Sequence, residues 1–306
     1  MIVSKKSCKV LVTLIVICLS ISIITIGVKT LTPEKPELVK KIERLLNISG
    51  EAHFIFIREY YDPLWERKVI WIHWKTPIHN HGIDVKIDAI SHEILFYSNN
   101  HKRCILLAGS DIKISQNKAL EKAKEFILKV SSIPPDFILS NCTMVKVRGC
   151  TQEFYYEYLF EWSRIINGIS VEGELIRVHL HANTGEVVGY CKIYHGDKPM
   201  NSEVRISRDQ AISIAKDFII KKQEALIERG YPFAHLMIKA LQTAKVEVKL
   251  KYVRFRSIQI EHGAPKGLWL CWIVKFTFTE DFLANKWVKI YVQATTGEVL
   301  YASSCK

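Results

Sequence analysis

The chain has 306 residues, 48% of them hydrophobic, and a formal net charge of +12 at pH 7. This length can bury ordinary hydrophobic cores in about two domains, or in three small ones. The modest glycine and proline content excludes a collagenous or largely disordered chain. The positive charge favours contact with anionic surfaces or acidic proteins but does not identify a ligand.

The N-terminal segment predicts a membrane anchor. Lys5, Lys6 and Lys9 precede an uncharged run from Val10 to Val28, which as a helix would span about 28 Å, close to the ~30 Å of a bilayer's hydrocarbon layer. A cleaved signal peptide has a shorter apolar stretch of roughly 7–15 residues. Residues 1–31 are therefore predicted to be a cytoplasmic head and signal anchor, with the rest of the chain outside the plasma membrane. Secretion after cleavage is the alternative.

Two amphipathic helices are predicted 92 residues apart, over residues 114–127 and 206–219. In both segments apolar residues recur at intervals of three and four, which is typical of a helix with one buried stripe. Ser115 and Ser207 fit as N-caps, and Gln210 completes a capping box with Ser207.

Each helix is followed by strand-like sequence that ends in a recurring pattern, A-x-T-G-E-V. Residues 85–89, 178–182 and 290–294 alternate apolar and polar and end in alanine, which predicts half-buried antiparallel strands with one wet face. The glycine of the turn suits a positive φ. The turn residues are Thr184, Gly185 and Glu186 in one copy and Thr296, Gly297 and Glu298 in the other.

The first copy is degenerate. His92 stands where the other copies have glycine, so this turn is expected to be strained or differently shaped. Its helix is expected to be capped by Thr32 and to begin at Pro33. The fold prediction is α+β, an N-terminal transmembrane helix followed by tandem modules of one helix packed on a three- to four-stranded antiparallel sheet. The predicted modules span residues 32–111, 112–200 and 201–306.

These motifs resemble the PepSY domain, a family first noticed in propeptides of secreted metallopeptidases. The stretch from Phe160 to Val171, with Asn167-Gly168 suited to a type I′ turn, is similar to the YcdB/YcdC repeats and to the fungalysin/thermolysin propeptide motif. The resemblance covers residues 112–303 well and 32–98 loosely. It departs where the family's aspartate, kept as Asp88, becomes His181 and Gln293. The resemblance implies a binding, inhibitory or chaperone-like role toward extracytoplasmic peptidases, without a reaction or a cofactor.

Six cysteines follow the predicted anchor. In an oxidising compartment they could form three disulfides, whereas the absence of any C-x-x-C pair disfavours zinc. Free buried thiols are the alternative. The six are Cys104, Cys142, Cys150, Cys191, Cys271 and Cys305.

The histidines are weak candidates for a metal site. His179 and His181 lie two apart on a predicted strand and so share a face, but a third ligand is not evident and the face is expected to be wet. His73, His79 and His81 form a second cluster around a proline. Neither group has the H-E-x-x-H spacing, and no nucleophile elbow or phosphate-binding glycine loop occurs in the sequence. The chain is predicted not to be an enzyme.

Residues 245–252 alternate charged and apolar side chains, which is typical of an edge strand protected by lysines. Such a strand could receive an extended segment of a partner by β-addition. The predicted function is that of a membrane-anchored binding protein, inhibitory or chaperone-like toward a secreted or membrane peptidase, with no nucleic-acid partner. The alternatives are a structural envelope protein that self-associates and a histidine-based metal-binding protein. The oligomeric state stays open.

Overall fold

The computed structural model describes residues 35–48, 50, 52–77, 82–105, 111–148, 154–280, 283 and 286–305, without the side chains of residues 104, 105 and 257. The predicted anchor at residues 10–28 lies outside these ranges. Within them, no helix combines the length and apolar character needed to cross a membrane.

The chain divides into two compact units, residues 1–49 and 50–306. The first contains helix α1 (Glu37–Leu46), which buries Val39, Ile42 and Leu46 on one face. Its N-cap is Pro36, whose φ of −51° and extended ψ of 144° place the first helical residue at Glu37. The predicted cap Thr32 and first residue Pro33 lie outside the described residues.

The second unit is built on strands that follow one another as antiparallel meanders, with five helices between them. The strands are β1 (His53–Asp62), β2 (Arg67–Lys75), β3 (Gly82–Asp88), β4 (Ile94–Asn99), β5 (Phe137–Arg148), β6 (Phe154–Ile166), β7 (Ile169–His181), β8 (Val187–Ile193), β9 (Lys245–Arg254), β10 (Leu268–Thr277), β11 (Trp287–Gln293) and β12 (Val299–Ser304). The helices are α2 (Asn100–Ile105), α3 (Gln116–Val130), α4 (Arg208–Glu228), α5 (Phe233–Thr243) and α6 (Ser257–Glu261).

Three four-stranded meanders, β1–β4, β5–β8 and β9–β12, join into one 12-stranded sheet. The final strands of the first two pair antiparallel, with Tyr97 opposite Tyr190. The second and third meet where β7 pairs in parallel with β9 over two residues, at Val171 and Glu172. The expectation of separate sheets of three or four strands is therefore wrong, because strand edges left free by one meander are paired with the next.

Helix α3 packs on one face of β6 and β7. Ser115 is its N-cap, as predicted, and accepts a hydrogen bond from the Lys118 backbone N–H at 3.4 Å. The Phe126 ring lies 5.9 Å from the Tyr97 ring of β4 and 5.7 Å from the Tyr190 ring of β8. One helix side chain thus packs over the seam between the first two meanders.

Helix α4 covers the third meander in the same way. Ser207 and Gln210 form the predicted capping box, and the helix ends before Gly230, whose φ is +84°. Ala211, Ala215 and Ile219 are buried against Val274, Phe276, Ile290 and Val292 of the sheet.

The face of the sheet opposite these helices is covered in two places. Helix α2 contacts β3 and β8, and in the third meander Ile260 of α6 packs against Val253, Cys271 and Tyr291. Elsewhere charged side chains such as Arg177 and Lys249 stay at least partly exposed, so the expected wet face is wrong only where these short helices fold back onto the sheet.

Candidate functional site

The recurring turn docks each helix start onto its sheet. The carbonyl oxygen of Ala182 accepts hydrogen bonds from the backbone N–H groups of Lys113 and Ile114, at 3.2 and 3.3 Å. The carbonyl of Ala294 accepts from Arg205 and Ile206, both at 2.9 Å. The alanine of the motif is buried in both copies, which lets the chain before the helix approach the strand.

The glycines of these turns adopt positive φ values. Gly185 has a φ of +72° and Gly297 one of +79°, and a Cβ on Gly185 would lie 3.0 Å from the Ile114 side chain. Asn167 and Gly168 have φ values of +50° and +78° at the β6–β7 hairpin, the positive signs that a type I′ turn requires. His92 adopts +58°, so the first copy keeps the turn shape with a non-glycine residue in a conformation that costs energy.

The family's aspartate position holds a different residue in each of the three copies. Each of these side chains accepts a hydrogen bond from the turn that follows it. Asp88 Oδ1 accepts from the backbone N–H groups of Ile90 and Ser91, at 2.8 and 2.9 Å. His181 Nδ1 lies 3.3 Å from the Thr184 N–H, and Gln293 accepts from the Thr296 hydroxyl. Burial alone would raise the pKa of Asp88, but the hydrogen bonds from Ser91 and Arg67 bring that pKa below its usual value. The position is thus an acceptor that closes the turn.

His179 and His181 do not lie on a wet surface. Helix α2 places Arg103 over this face, where its Nε donates to Glu157 Oε1 at 3.1 Å. His179 Nδ1 lies 2.9 Å from Glu157 Oε2, and Tyr155 donates to the same carboxylate. Burial lowers the pKa of His181, which is 1% exposed. The expectation that this pair is solvent-exposed is wrong, because α2 comes from a distant part of the sequence.

The second histidine group is only partly described. His73 Nδ1 lies 2.9 Å from Asp84 Oδ1, and its ring stacks on Phe56. His79 and His81 lie outside the described residues. Across the residues whose positions are given, no group of three histidine, cysteine or acidic side chains is arranged to hold a metal ion.

Four of the six cysteines have described side chains, and all four are free thiols. They are Cys142, Cys191, Cys271 and Cys305. Burial raises the pKa of Cys191 to about 11 and that of Cys271 to about 12, so both are inert thiols at neutral pH. The side chains of Cys104 and Cys150 are outside the described set, and three disulfides remain a prediction.

A buried ionic network joins the three meanders. Arg254, at the end of β9, donates to Glu66 in the β1–β2 turn and to Asp197 after β8, both at 2.5 Å. Arg164 of β6 donates to Glu174 at 3.0 Å and also to the backbone carbonyl of Asp197. Arg254 therefore contacts a residue 188 positions away in the chain, a pairing that sequence spacing does not indicate.

A cleft of about 590 Å³ opens beside this network. Its three carboxylates each contact a cation. Asp88 pairs with Arg67 at 2.9 Å, Glu93 with Lys192 at 2.6 Å, and Glu66 with Arg254. Burial and the nearby Arg254 lower the pKa of His195, in the cleft wall, to about 4. The cleft thus offers paired carboxylates and a neutral imidazole.

β9, the strand whose edge was predicted to receive a partner's segment, has only part of that edge free. β9 pairs with β10 along its whole length, and Tyr252 and Val253 also pair with β7. Its free edge is confined to the lysine-rich half before Leu250, which disfavours addition of another strand.

β5 is the better candidate for strand addition, and the sequence pattern did not predict it. In the part of the chain that is described, β5 pairs only with β6, so its other edge is free along a 12-residue strand. No charged residue occurs from Phe137 to Val145. Ile138 is 57% exposed, Leu139 36% and Met144 46%. A long, uncharged edge with exposed apolar side chains is a template for pairing with another chain.

Three four-stranded meanders, of which the second and third each carry a long helix, define a PepSY-like repeat protein. The sequence model of the family described as "YcdB, YcdC repeated domain" matches residues 35–194. The chain belongs to this family.

Among solved structures, the chain is similar to the Bacillus megaterium YpeB C-terminal domain. The sequence identity is 13% and the TM-score 0.41, over 89% of this chain and 98% of that chain. No curated protein matches the chain significantly.

Proposed function

We propose that this protein is a non-catalytic extracytoplasmic binding protein that takes up an extended segment of an envelope protein, a secreted or membrane peptidase above all, and restrains or assists it. Residues 10–28 would tether it to the membrane. The observation that carries the proposal is the free, uncharged edge of β5.

The chemistry of β5 supports strand addition. An added strand would satisfy the outward-facing N–H and C=O groups of the edge, and its alternate side chains would contact the exposed apolar residues. The other long free edge, β1, carries Arg58 and Glu59 in its middle, and charged side chains oppose such pairing. β5 therefore combines the length and the apolar character that peptide binding requires.

The cleft supports the non-catalytic part of the proposal. A general base needs an available lone pair and a pKa suited to its task. Asp88, Glu93 and Glu66 each contact a cation within 3 Å, which favours a network that holds the meanders together. Peptidase binding, rather than another partner class, follows from the family's likeness to metallopeptidase propeptides.

The test is capture of an envelope peptidase by the tagged full-length chain, followed by assay of its proteolysis. We expect capture together with slowed cleavage of a peptide substrate. The double variant Ile138→Lys/Met144→Lys should lose at least about tenfold in affinity, since two charges would face the incoming strand.

The matched control is Ile55→Lys/Ile57→Lys on β1, whose side chains are 50% and 37% exposed. It should bind as the unmodified chain does. Equal loss in both double variants would contradict the assignment of β5. Concentration-dependent self-association, abolished by the β5 variant and with no peptidase captured, would instead support a structural envelope protein.

A further inference from the structure

Four lysines lie in adjoining positions on the outer face of the third meander. Lys275 of β10 is directly opposite Lys289 of β11. Lys249 and Lys251 of β9 are opposite Ile273 and Cys271. Residues two apart on a strand point to the same face, so this register gathers the four side chains.

These lysines line a concave surface rather than a flat one. Together with Ile273, Glu172 and Glu247 they enclose about 240 Å³. Among the ion pairs between described residues none includes these four lysines, although Glu247 lies 3.8 Å from Lys245. The Lys289 ammonium lies 5.4 Å from the centre of the Trp287 ring. The cavity therefore holds an excess of positive charge.

The second meander shows how this fold neutralises charge on the same face. There Glu161 is directly opposite Arg177, and the two form an ion pair of 2.5 Å. The third meander places Lys275 between Glu247 of β9 and Lys289 of β11. Glu247 offsets part of the charge, but the like charges of Lys275 and Lys289 still destabilise the sheet. An anion bound between these lysines would remove that cost.

The number and spacing of the lysines favour an extended anion with several charges. The planar fork of arginine matches carboxylates and phosphates alike, whereas lysine is a compact point charge whose three donors can bind phosphate oxygens. The cavity contains lysine and no arginine among its described lining residues. From Lys249 on β9 to Lys289 on β11 is two strand spacings, about 10 Å, which exceeds one phosphate group.

We propose that this lysine cavity binds a soluble chain of linked phosphate groups. Its concave shape favours a narrow chain over a flat bilayer surface. Glu172 and Glu247 also line the cavity, and Glu247 is directly opposite Lys275, so four lysines face two glutamates. The site is on β9–β11 and the proposed peptide site on β5, so either proposal can fail without the other.

The test is calorimetric titration of the purified full-length chain with sodium tripolyphosphate at low ionic strength. We expect saturable binding that weakens as salt is added. Lys275→Gln/Lys289→Gln should weaken binding at least about tenfold, because each charge-assisted contact contributes that order of affinity. Without phosphate this variant should melt at about the same temperature as the unmodified chain, since the lost repulsion between Lys275 and Lys289 offsets the lost attraction between Lys275 and Glu247. That readout shows that the loss of binding is not a loss of folding.

The control variant is Lys221→Gln/Lys239→Gln, which removes two exposed lysines from α4 and α5 and should bind tripolyphosphate normally. Citrate should bind at least about tenfold more weakly than tripolyphosphate. The proposal would be overturned by no binding, by equal loss in the control, or by equal affinity for citrate. It would also be overturned if phosphatidylglycerol vesicles, but not tripolyphosphate, bound in a manner that depends on Lys275 and Lys289.

Discussion

At the scale of single residues, the repeat preserves a contact rather than a residue type. Asp88, His181 and Gln293 differ in charge and shape, yet each places an acceptor atom toward the turn that follows. The hydrogen bond closes the turn, and the turn positions the alanine carbonyl that receives the next helix start. Loss of the family's aspartate from two copies is therefore compatible with the fold.

Glycine at the turn is required for two separate reasons. We predict that Gly168→Ala costs about 1 kcal/mol, because its φ of +78° is unfavourable for alanine and nothing lies within 4 Å of the added Cβ. Gly185→Ala should cost about 2 kcal/mol, since the new Cβ would also meet Ile114 and Lys122. Urea unfolding of the two variants measures the difference. Equal losses would show that contact with Ile114 is unimportant.

Local features of single residues could be predicted from the sequence, and distant ones could not. Ser115, Ser207 and Gly230 act within a few residues of themselves, so their roles as caps and stop were predicted and are confirmed. His181 is buried because Arg103, far along the chain, packs over Glu157 beside it. The alternation of residues in β7 does not indicate that Arg103 packs there.

At the scale of elements, both long helices begin with a serine N-cap, but only α4 has a complete capping box. Ser207 and Gln210 exchange two hydrogen bonds, of 3.2 and 2.8 Å. Ser115 makes one, of 3.4 Å, to the Lys118 N–H.

The difference predicts unequal costs of removing the cap. We expect Ser207→Ala to lower the free energy of unfolding by about 1 kcal/mol and Ser115→Ala by about 0.5 kcal/mol. Thermal and urea unfolding of both variants provide the check. A larger loss at Ser115 would contradict this reading of the caps.

The sequence predicted which segments form strands better than it predicted which strands pair with one another. The alternation at Ile290 and Val292 identified β11 and its buried face, because side-chain direction is a local property. Which edges stay free depends on how meanders join. The pairing of Tyr97 with Tyr190 removes one edge and leaves β5 open. The sequence pattern indicated the edge of β9, which is free only in part, and gave no sign of the longer free edge of β5.

At the scale of the molecule, ion pairs reinforce a junction between meanders where the strand pairing is short. β7 and β9 pair over two residues, and Arg254 adds contacts to both other meanders through Glu66 and Asp197. His195 lies in this junction as a neutral imidazole.

This junction should weaken in acid. The pKa of His195 is about 4 in the fold, below its usual value, so the unfolded chain takes up the proton first as the pH falls. The free energy of unfolding should therefore fall between about pH 6.5 and pH 4, by on the order of 2 kcal/mol from this residue. His195→Gln should flatten that part of the profile, measured by urea unfolding at a series of pH values. An unchanged slope would exclude His195 as the cause.

Binding through β5 is the central claim, and hydrogen–deuterium exchange tests it most directly. Exchange would be followed in the full-length chain alone and with its captured peptidase. The outward-facing backbone amides of Phe137–Arg148, which do not donate to β6, should exchange fast in the free protein and become protected in the complex, while those of His53–Asp62 stay unchanged. Protection elsewhere, with β5 exchanging as fast as before, would contradict the claim.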